Sequence, residues 1–353
     1  MFGGAESVLV HMLRALQENE LVLITDRWNP KNIEKTFDIE HLNVKWIECP
    51  SFHPLSHRFT AFQWFQYTRR LNRLIREESK DYDLLFETQQ MYADPRPGMP
   101  LVNYIHYPTL VAPLPDNQNT SSAIYYAVLR TLYRRRFKKI SLALTNSTFT
   151  ARKIVEYLKI EPLVVPPPVD VNKFYSNRSW SDREDKVVTV GVFTPFKRHH
   201  LLMEVARQLP KVQFVIIGTI HEDHKGYYET LSTQKSDNVT IRQDISFEEE
   251  LASAKVYVHL SPEPFGISVV EAAASGCIPI VYHIGGPAES LGDASLKWKD
   301  LKQLSTLINE MIKNENLWPE LSERAKKKSL EFDTSIFEAR IRNIVKEQLW
   351  KQT

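Results

Sequence analysis

Only two cysteines, Cys49 and Cys277, occur in 353 residues. No disulfide framework is implied, and a reducing compartment fits. No apolar run approaches the roughly 18 residues of a membrane span, and no signal-peptide pattern is visible. Sequons such as Asn119-Thr120-Ser121 are therefore read as chance. None of the 11 glycines falls in a Gly-x-x-x-x-Gly-Lys-Ser/Thr loop or a Gly-x-Gly-x-x-Gly fingerprint, which argues against a nucleotide triphosphatase or a dehydrogenase. A nucleophile elbow for Ser or Cys is missing too. An excess of one charge is likewise lacking: 45 Lys and Arg against 43 Asp and Glu leave +2, so nucleic acid is not an expected partner. Internal repeats and low-complexity tracts are absent. A 42% hydrophobic and 25% charged composition is that of a soluble globular chain, long enough for two domains with their own cores.

Strands alternate with helices along the chain. Helical spacing at Val8 to Leu16 is followed by short apolar strands at Leu21 to Ile24 and Val44 to Ile47. A long amphipathic helix from about His57 to Glu78 precedes strands at Leu84 to Phe86, Leu101 to Tyr104 and Leu142 to Thr145. A helix over roughly Ser122 to Lys139 lies between the last two, and Ser147 or Thr148 caps another reaching Leu158. Pro166-Pro167-Pro168 breaks the rhythm, and the polar run Asn177 to Lys186 reads as linker or loop. Alternation restarts with strands at Val187 to Phe193, Gln213 to Ile217, Val239 to Arg242, Val256 to Leu260 and Ile278 to Tyr282, and Leu301 to Leu349 is helical. This pattern predicts an α/β protein of two Rossmann-like, doubly wound domains facing a cleft, with boundaries at 1–168 and 169–333. Met1-Phe2-Gly3-Gly4-Ala5-Glu6 looks like a strand–Gly-loop–helix unit without its strand. The first strand of a doubly wound sheet is usually central, so a truncated or misassigned start is the expectation, with a rearranged sheet as the plainer alternative.

The most informative segment is Glu263-Pro264-Phe265-Gly266-Ile267-Ser268-Val269-Val270-Glu271. It follows the buried strand Lys255 to Leu260, so Glu263 falls at a strand's C-terminal end, where open α/β sheets bind ligands. The N–H groups of Gly266, Ile267, Ser268 and Val269 form a helix N-terminus suited to phosphate. Glu271, two turns along, can reach sugar hydroxyls, and each carboxylate accepts two hydroxyl donors. Taken alone, the pair also reads as ordinary strand-end and helix polarity.

This Glu-x7-Glu block resembles the motif of glycosyltransferase family 4, retaining enzymes of the GT-B fold. Other pieces appear in the family's order: Gly3-Gly4-Ala5-Glu6, Tyr104-Ile105-His106-Tyr107-Pro108, Thr145-Asn146-Ser147, Pro166-Pro167-Pro168-Val169-Asp170, Lys197, Ile217-Gly218 and Gly285-Gly286-Pro287. The similarity spans roughly the whole chain. Within the family, the Tyr-x-His-Tyr-Pro run and Gly-Gly-Pro are most like the α-1,2-mannosyltransferases of dolichol-linked oligosaccharide assembly.

The resemblance implies roles. Glu263 would lie near donor sugar hydroxyls and Glu271 on the nucleotide ribose, with the backbone of Gly266, Ile267, Ser268 and Val269 on the diphosphate. Lys197 would offset charge on the leaving diphosphate. The family's Arg five residues earlier is Val192 here, and Arg198 is the candidate substitute; a solvated Lys-Arg pair is the bland reading. His106 would hydrogen-bond the donor sugar, although a lone His is more often structural. Gly3 and Gly4 would let backbone approach the phosphates. Gly285-Gly286-Pro287 would shape the pocket or be a plain turn. The last helix, about 334–353, would complete the first, acceptor domain, leaving the donor on the second.

Other candidates fail. Asp81-Tyr82-Asp83 precedes its strand, away from the expected site, and His221-Glu222-Asp223-His224 lacks a third ligand and reads as loop. No metal site is expected. The basic helices carrying Arg69, Arg70, Arg73 and Arg76, and Arg130, Arg134, Arg135, Arg136, Lys138 and Lys139, read as solvated faces or as contacts to a membrane or lipid pyrophosphate. The solvated face is the plainer reading, and Trp64, Phe65 and Tyr67 beside Arg69 and Arg70 add some weight to the membrane option.

The expected function is a retaining, metal-independent glycosyltransferase without a cofactor. It would use a nucleotide-sugar co-substrate, GDP-mannose being the best candidate, and a lipid-linked glycan acceptor, in the cytoplasm or at the cytoplasmic face of a membrane. Alternatives are a non-catalytic sugar-nucleotide-binding subunit, or an epimerase or phosphorylase on the same architecture.

Overall fold

The computed structural model describes residues 4–25, 42–49, 60–88, 93–109, 111–112, 127, 129–131 and 136–350, the side chains of 60–65 excepted. Gly3, Trp64, Phe65, Arg134, Arg135 and the Asn119 sequon therefore lie outside what is described. Two compact units are present: Gly3–Asn146 with Thr150–Val165 and Phe337–Thr353, and Ser147–Phe149 with Pro166–Ile336.

The N-terminal unit begins with α1 (Gly4–Ala15), which has Glu6 in its first turn and Arg14 in its last, both complementing the helix dipole. Strands β1 (Leu21–Thr25) and β2 (Val44–Glu48) form a two-stranded parallel sheet, in register from Leu21 opposite Val44 to Thr25 opposite Glu48. After α2 (Thr60–Glu78) come β3 (Leu85–Glu87), β4 (Leu101–Ile105), β5 (Leu142–Thr145), α3 (Thr148–Leu158) and β6 (Leu163–Val164). The last four strands form a second parallel sheet in the order β3-β4-β5-β6. Buried Thr68, Asn72 and Ile75 mark the inner face of α2, while Arg69, Arg70, Arg73 and Arg76 are exposed on the other.

The C-terminal unit opens with the short α4 (Val171–Phe174), capped by the Asp170 carboxylate accepting from the Lys173 N–H at 3.1 Å. It continues through β7 (Glu184–Val190), α5 (His199–Gln208), β8 (Gln213–Gly218), α6 (Lys225–Gln234), β9 (Val239–Gln243), α7 (Glu248–Ser253), β10 (Ala254–His259), α8 (Ile267–Ala274), β11 (Ile278–Tyr282), α9 (Pro287–Ser290) and β12 (Leu296–Trp298). All six strands are parallel in the order β9-β8-β7-β10-β11-β12. That is the doubly wound order, whose direction reverses between β7 and β10. Helices cover both faces, and every residue of β10 is buried, as expected of a central parallel strand.

One local expectation is corrected. Strand β7 starts three residues before Val187, inside the supposed polar linker, because its charges are paired: Lys186 Nζ donates to Ser253 Oγ at 2.6 Å and lies 3.1 Å from Glu250, and Lys255 Nζ reaches Asp185 at 2.5 Å. The C-terminal stretch is three helices, α10 (Leu301–Lys313), α11 (Trp318–Ser329) and α12 (Thr334–Trp350). Asn314 Oδ1 accepts the Leu317 N–H at 3.1 Å and Pro319 opens α11, while the Asp333 carboxylate accepts the Ser335 N–H at 3.0 Å. On α12, Phe337, Ile341 and Ile344 pack with Val8 and Met12 of α1.

Candidate functional site

The loops after β7 and β10 leave the sheet at the switch point of the C-terminal unit, and they carry the predicted charges. In the first loop, Pro195 opens a single turn of 3-10 helix ending at Lys197, and Arg198 follows with φ 57°. The turn directs Lys197 Nζ onto Glu263 Oε1, in the second loop. Ser261 Oγ donates to the same oxygen at 2.8 Å. His259 Nε2 stands 3.2 Å from it without the alignment of a hydrogen bond. Burial alone would raise the Glu263 carboxyl, but the charges of Lys197 and His259 hold it well below the usual carboxylate range. Glu263 is therefore a fixed carboxylate with its second oxygen left for hydroxyl donors.

The second loop is fixed by close backbone contact. Gly286 N–H donates to the Glu263 carbonyl at 2.7 Å, and a Cβ on Gly286 would stand 1.9 Å from the Pro264 carbonyl oxygen. Gly285-Gly286-Pro287 is thus the buttress of the Glu263 loop. Gly266 turns the chain into α8 with φ 84°, a left-handed conformation that glycine adopts without strain. The N–H groups of Gly266, Ile267 and Ser268 have no acceptor among the described residues. Val269, expected as a further free donor, is not one: its N–H donates to the Gly266 carbonyl at 3.1 Å because the left-handed turn brings that carbonyl beneath it. Tyr257 Oη donates to Ser268 Oγ at 2.7 Å and orients the first turn of the helix.

Glu271 lies on α8 with no side-chain hydrogen bond among the described residues. Burial pushes it up to about 7, against the charge of Lys173 and with the help of Glu248. Arg198 places its guanidinium over the Tyr282 ring, 4.9 Å from the centroid. Val192 contributes backbone only, its carbonyl lying 3.3 Å from His199 Nε2.

His106 and Gly4 belong to the N-terminal unit. Gly4 is the first residue of α1 and is exposed. His106 follows β4, where Asn146 Nδ2 donates to its carbonyl at 2.8 Å and Tyr104 lies 5.0 Å away, ring to ring. Its Nε2 is buried and has no hydrogen-bond partner among the described residues. Burial lowers the imidazole to about 4, so it is neutral at physiological pH.

Gly191 and Ser261 were not singled out from the sequence. A Cβ on Gly191 would meet Lys197 Cδ at 3.1 Å, so the lysine stem lies across bare backbone. A lone glycine after a strand gives little warning of such a role. Ser261, two residues before the acid, is visible only once Glu263 is recognised.

The C-terminal unit thus carries a helix N-terminus with free N–H groups, a lysine and two carboxylates on the elements at its switch point, and two Rossmann-like units in one chain are the GT-B architecture. The chain matches the family models described as Glycosyltransferase Family 4, over residues 2–173, and Glycosyl transferases group 1, over residues 172–328. It is similar to the GDP-Man:Man(3)GlcNAc(2)-PP-Dol alpha-1,2-mannosyltransferase of Candida glabrata, at 29% identity over 253 residues, 62% of this chain and 49% of that protein. The enzyme of that name from Dictyostelium discoideum is 24% identical, over 95% of this chain and 80% of its own. The chain thus spans about half the length of the Candida glabrata relative. In fold it is similar to Anabaena HepE in complex with UDP and glucose, with TM-score 0.75, 17% identity and coverage of 98% of this chain and 96% of that one. The sucrose-phosphate synthase of Thermosynechococcus elongatus has TM-score 0.72 at 13% identity, over 98% and 92% of the two chains.

Proposed function

We propose that this chain is a retaining, metal-independent mannosyltransferase that takes mannose from GDP-mannose and delivers it to a lipid-linked glycan. The observation that carries the reading is the clasped Glu263 carboxylate beside the unpaired N–H groups of Gly266, Ile267 and Ser268. The diphosphate sits on those N–H groups and the α8 dipole, and Glu263 and Glu271 accept sugar and ribose hydroxyls. Lys197 supplies the positive charge that a divalent cation would otherwise bring to the leaving diphosphate. With no nucleophile assigned, the acceptor hydroxyl attacks from the face the diphosphate leaves, and a phosphate oxygen takes its proton.

The relatives' printed names support mannose as the sugar and a pyrophosphate-linked lipid as the acceptor. The exposed arginines of α2 fit the same acceptor, whose anionic group lies at a membrane surface. No helix among the described residues is long and apolar enough to cross a membrane. The proposed lipid-linked acceptor puts membrane contact at a surface, which we take to be the cytoplasmic face. Calorimetric titration with nucleoside diphosphates tests the donor: GDP is expected to bind at least about tenfold more tightly than UDP, a difference of about 1.4 kcal/mol. Preference for UDP would redirect the assignment to another donor.

A further inference from the structure

Three polar side chains of the C-terminal unit converge on one oxygen of Glu263. Lys197 Nζ and Ser261 Oγ both donate to Oε1, the serine at 2.8 Å. His259 Nε2 stands 3.2 Å from the same atom, buried and without a hydrogen-bond partner among the described residues. A carboxylate oxygen has two lone pairs, and the lysine and the serine take both. The imidazole is therefore held beside an acceptor that is already full.

The two basic groups are anchored differently. His259 closes β10, its side chain is 3% exposed, and its ring stacks on Tyr257 with 6.5 Å between centroids. Trp298 Nε1 donates to its carbonyl at 3.2 Å. The imidazole is thus fixed by the central strand. Lys197 ends a single turn of 3-10 helix, its side chain is 21% exposed, and its stem lies across the bare backbone of Gly191. A lysine ammonium is a point charge on a flexible stem, free to move to a nearby anion.

The unpaired N–H groups of Gly266, Ile267 and Ser268 open α8, just beyond Glu263. On the sugar-nucleotide reading a diphosphate sits there and draws Lys197 to it. Glu263 is then a buried carboxylate without its lysine, beside added negative charge. Such a group takes up a proton unless another cation stays next to it. A protonated carboxyl donates where sugar hydroxyls need an acceptor. The lone pair that Lys197 vacates on Oε1 lies next to His259 Nε2.

We infer that His259 is a positioning residue which, as an imidazolium, takes over the Oε1 bond from Lys197 when a sugar nucleotide binds, and so keeps Glu263 an acceptor. The inference rests on the sugar-nucleotide reading and adds a linkage to it. At a pH where free imidazole is neutral, the charge on His259 comes from a proton taken up on binding, so affinity falls as pH rises.

The titratable groups around His259 are Glu263 and Lys197 at the carboxylate, Tyr257 along the strand, and His199, which feels the charges of that pair. Burial keeps Tyr257 protonated and lowers His199 to about 4, so neither titrates between about pH 6 and 8. Glu271, pushed up to about 7, and His283, which follows the paired strand β11, are common to both proteins compared below.

Calorimetric titration of the 353-residue chain and of His259→Gln with GDP-mannose and UDP-glucose, at about pH 6 and 8, tests it. Both probes are diphosphate diesters whose phosphates keep a fixed charge across this range. At pH 6 the wild-type chain is expected to bind the preferred probe at least about tenfold more tightly than His259→Gln, and at pH 8 less than about threefold more tightly. Repeating the wild-type titration at pH 8 in buffers of different ionisation enthalpy should show a net uptake of about 0.3 proton or more per ligand bound. A ratio that is the same at both pH values would show a structural role only and overturn the inference. So would the absence of proton uptake by the wild-type chain, a measurement that needs no variant to fold. Binding of neither probe would overturn the sugar-nucleotide reading itself, and the inference with it.

Discussion

At the scale of single residues, the two acids of the motif are held in opposite ways. Glu263 is kept ionised by Lys197 and His259 despite burial, whereas Glu271 has no side-chain hydrogen bond among the described residues and burial raises it to about 7. The sign of the second effect follows from linkage. Between the ordinary carboxylate value and about 7, folded Glu271 keeps a proton that the unfolded chain has released. Its contribution to stability is full below the ordinary value, declines as pH rises to about 7, and is flat above. Glu271→Gln removes that penalty. It should raise the melting temperature at pH 8 by about 2–4 °C and leave it unchanged near pH 4.5, as scanning fluorimetry would show. The same variant should bind GDP about tenfold more weakly. An equal thermal shift at both pH values would assign the effect to packing instead.

At the scale of elements, the glycines sort into those that shape the site and those that do not. Gly286→Ala would drive a methyl into the Pro264 carbonyl, where Cβ stands at 1.9 Å, and so displace the backbone that carries Glu263. A loss of at least about 2 kcal/mol in unfolding free energy is expected, together with loss of nucleotide binding. Gly226→Ala, on α6 with nothing within 4 Å, should be neutral or stabilise by up to about 1 kcal/mol. Denaturant titration of the two variants checks both. The elements themselves were largely readable, because their apolar periods are short and bounded by polar or proline residues; Leu142–Thr145 and Thr148–Leu158 are examples. The early start of β7 was not, since Asp185 and Lys186 look like loop until α7 and β10 supply their partners. The Val269 N–H was misjudged for a related reason: whether an N–H is free depends on the turn before it. Lys197 and Glu263 were legible as candidates, but their ion pair across 66 positions is a product of topology.

At the scale of the whole molecule, alternating strands and helices pointed to two α/β units, and the C-terminal unit shows why the motif lies where it does. Its strand order reverses between β7 and β10, so the two loops that diverge there carry the charged groups. The division of the N-terminal strands into two sheets is a matter of pairing that periodicity does not encode. The exposed arginines of α2 carry a further expectation. Arg69→Glu with Arg73→Glu should reduce binding to phosphatidylserine vesicles at least about fivefold and leave GDP binding unchanged, since each basic group near such a surface contributes about 1 kcal/mol. Co-sedimentation measures this, and unchanged vesicle binding would remove α2 from the acceptor's side of the account.

The most direct measurement is transfer of labelled mannose from GDP-mannose to a pyrophosphate-linked lipid oligosaccharide, with and without EDTA, for the wild-type chain and Glu263→Gln, with the product's anomeric configuration read by NMR. The account predicts an α-linked product, insensitivity to EDTA, and a rate lowered about 10²- to 10³-fold in Glu263→Gln with its melting temperature preserved. A β-linked product, loss of activity on chelation, or full activity of Glu263→Gln would contradict it.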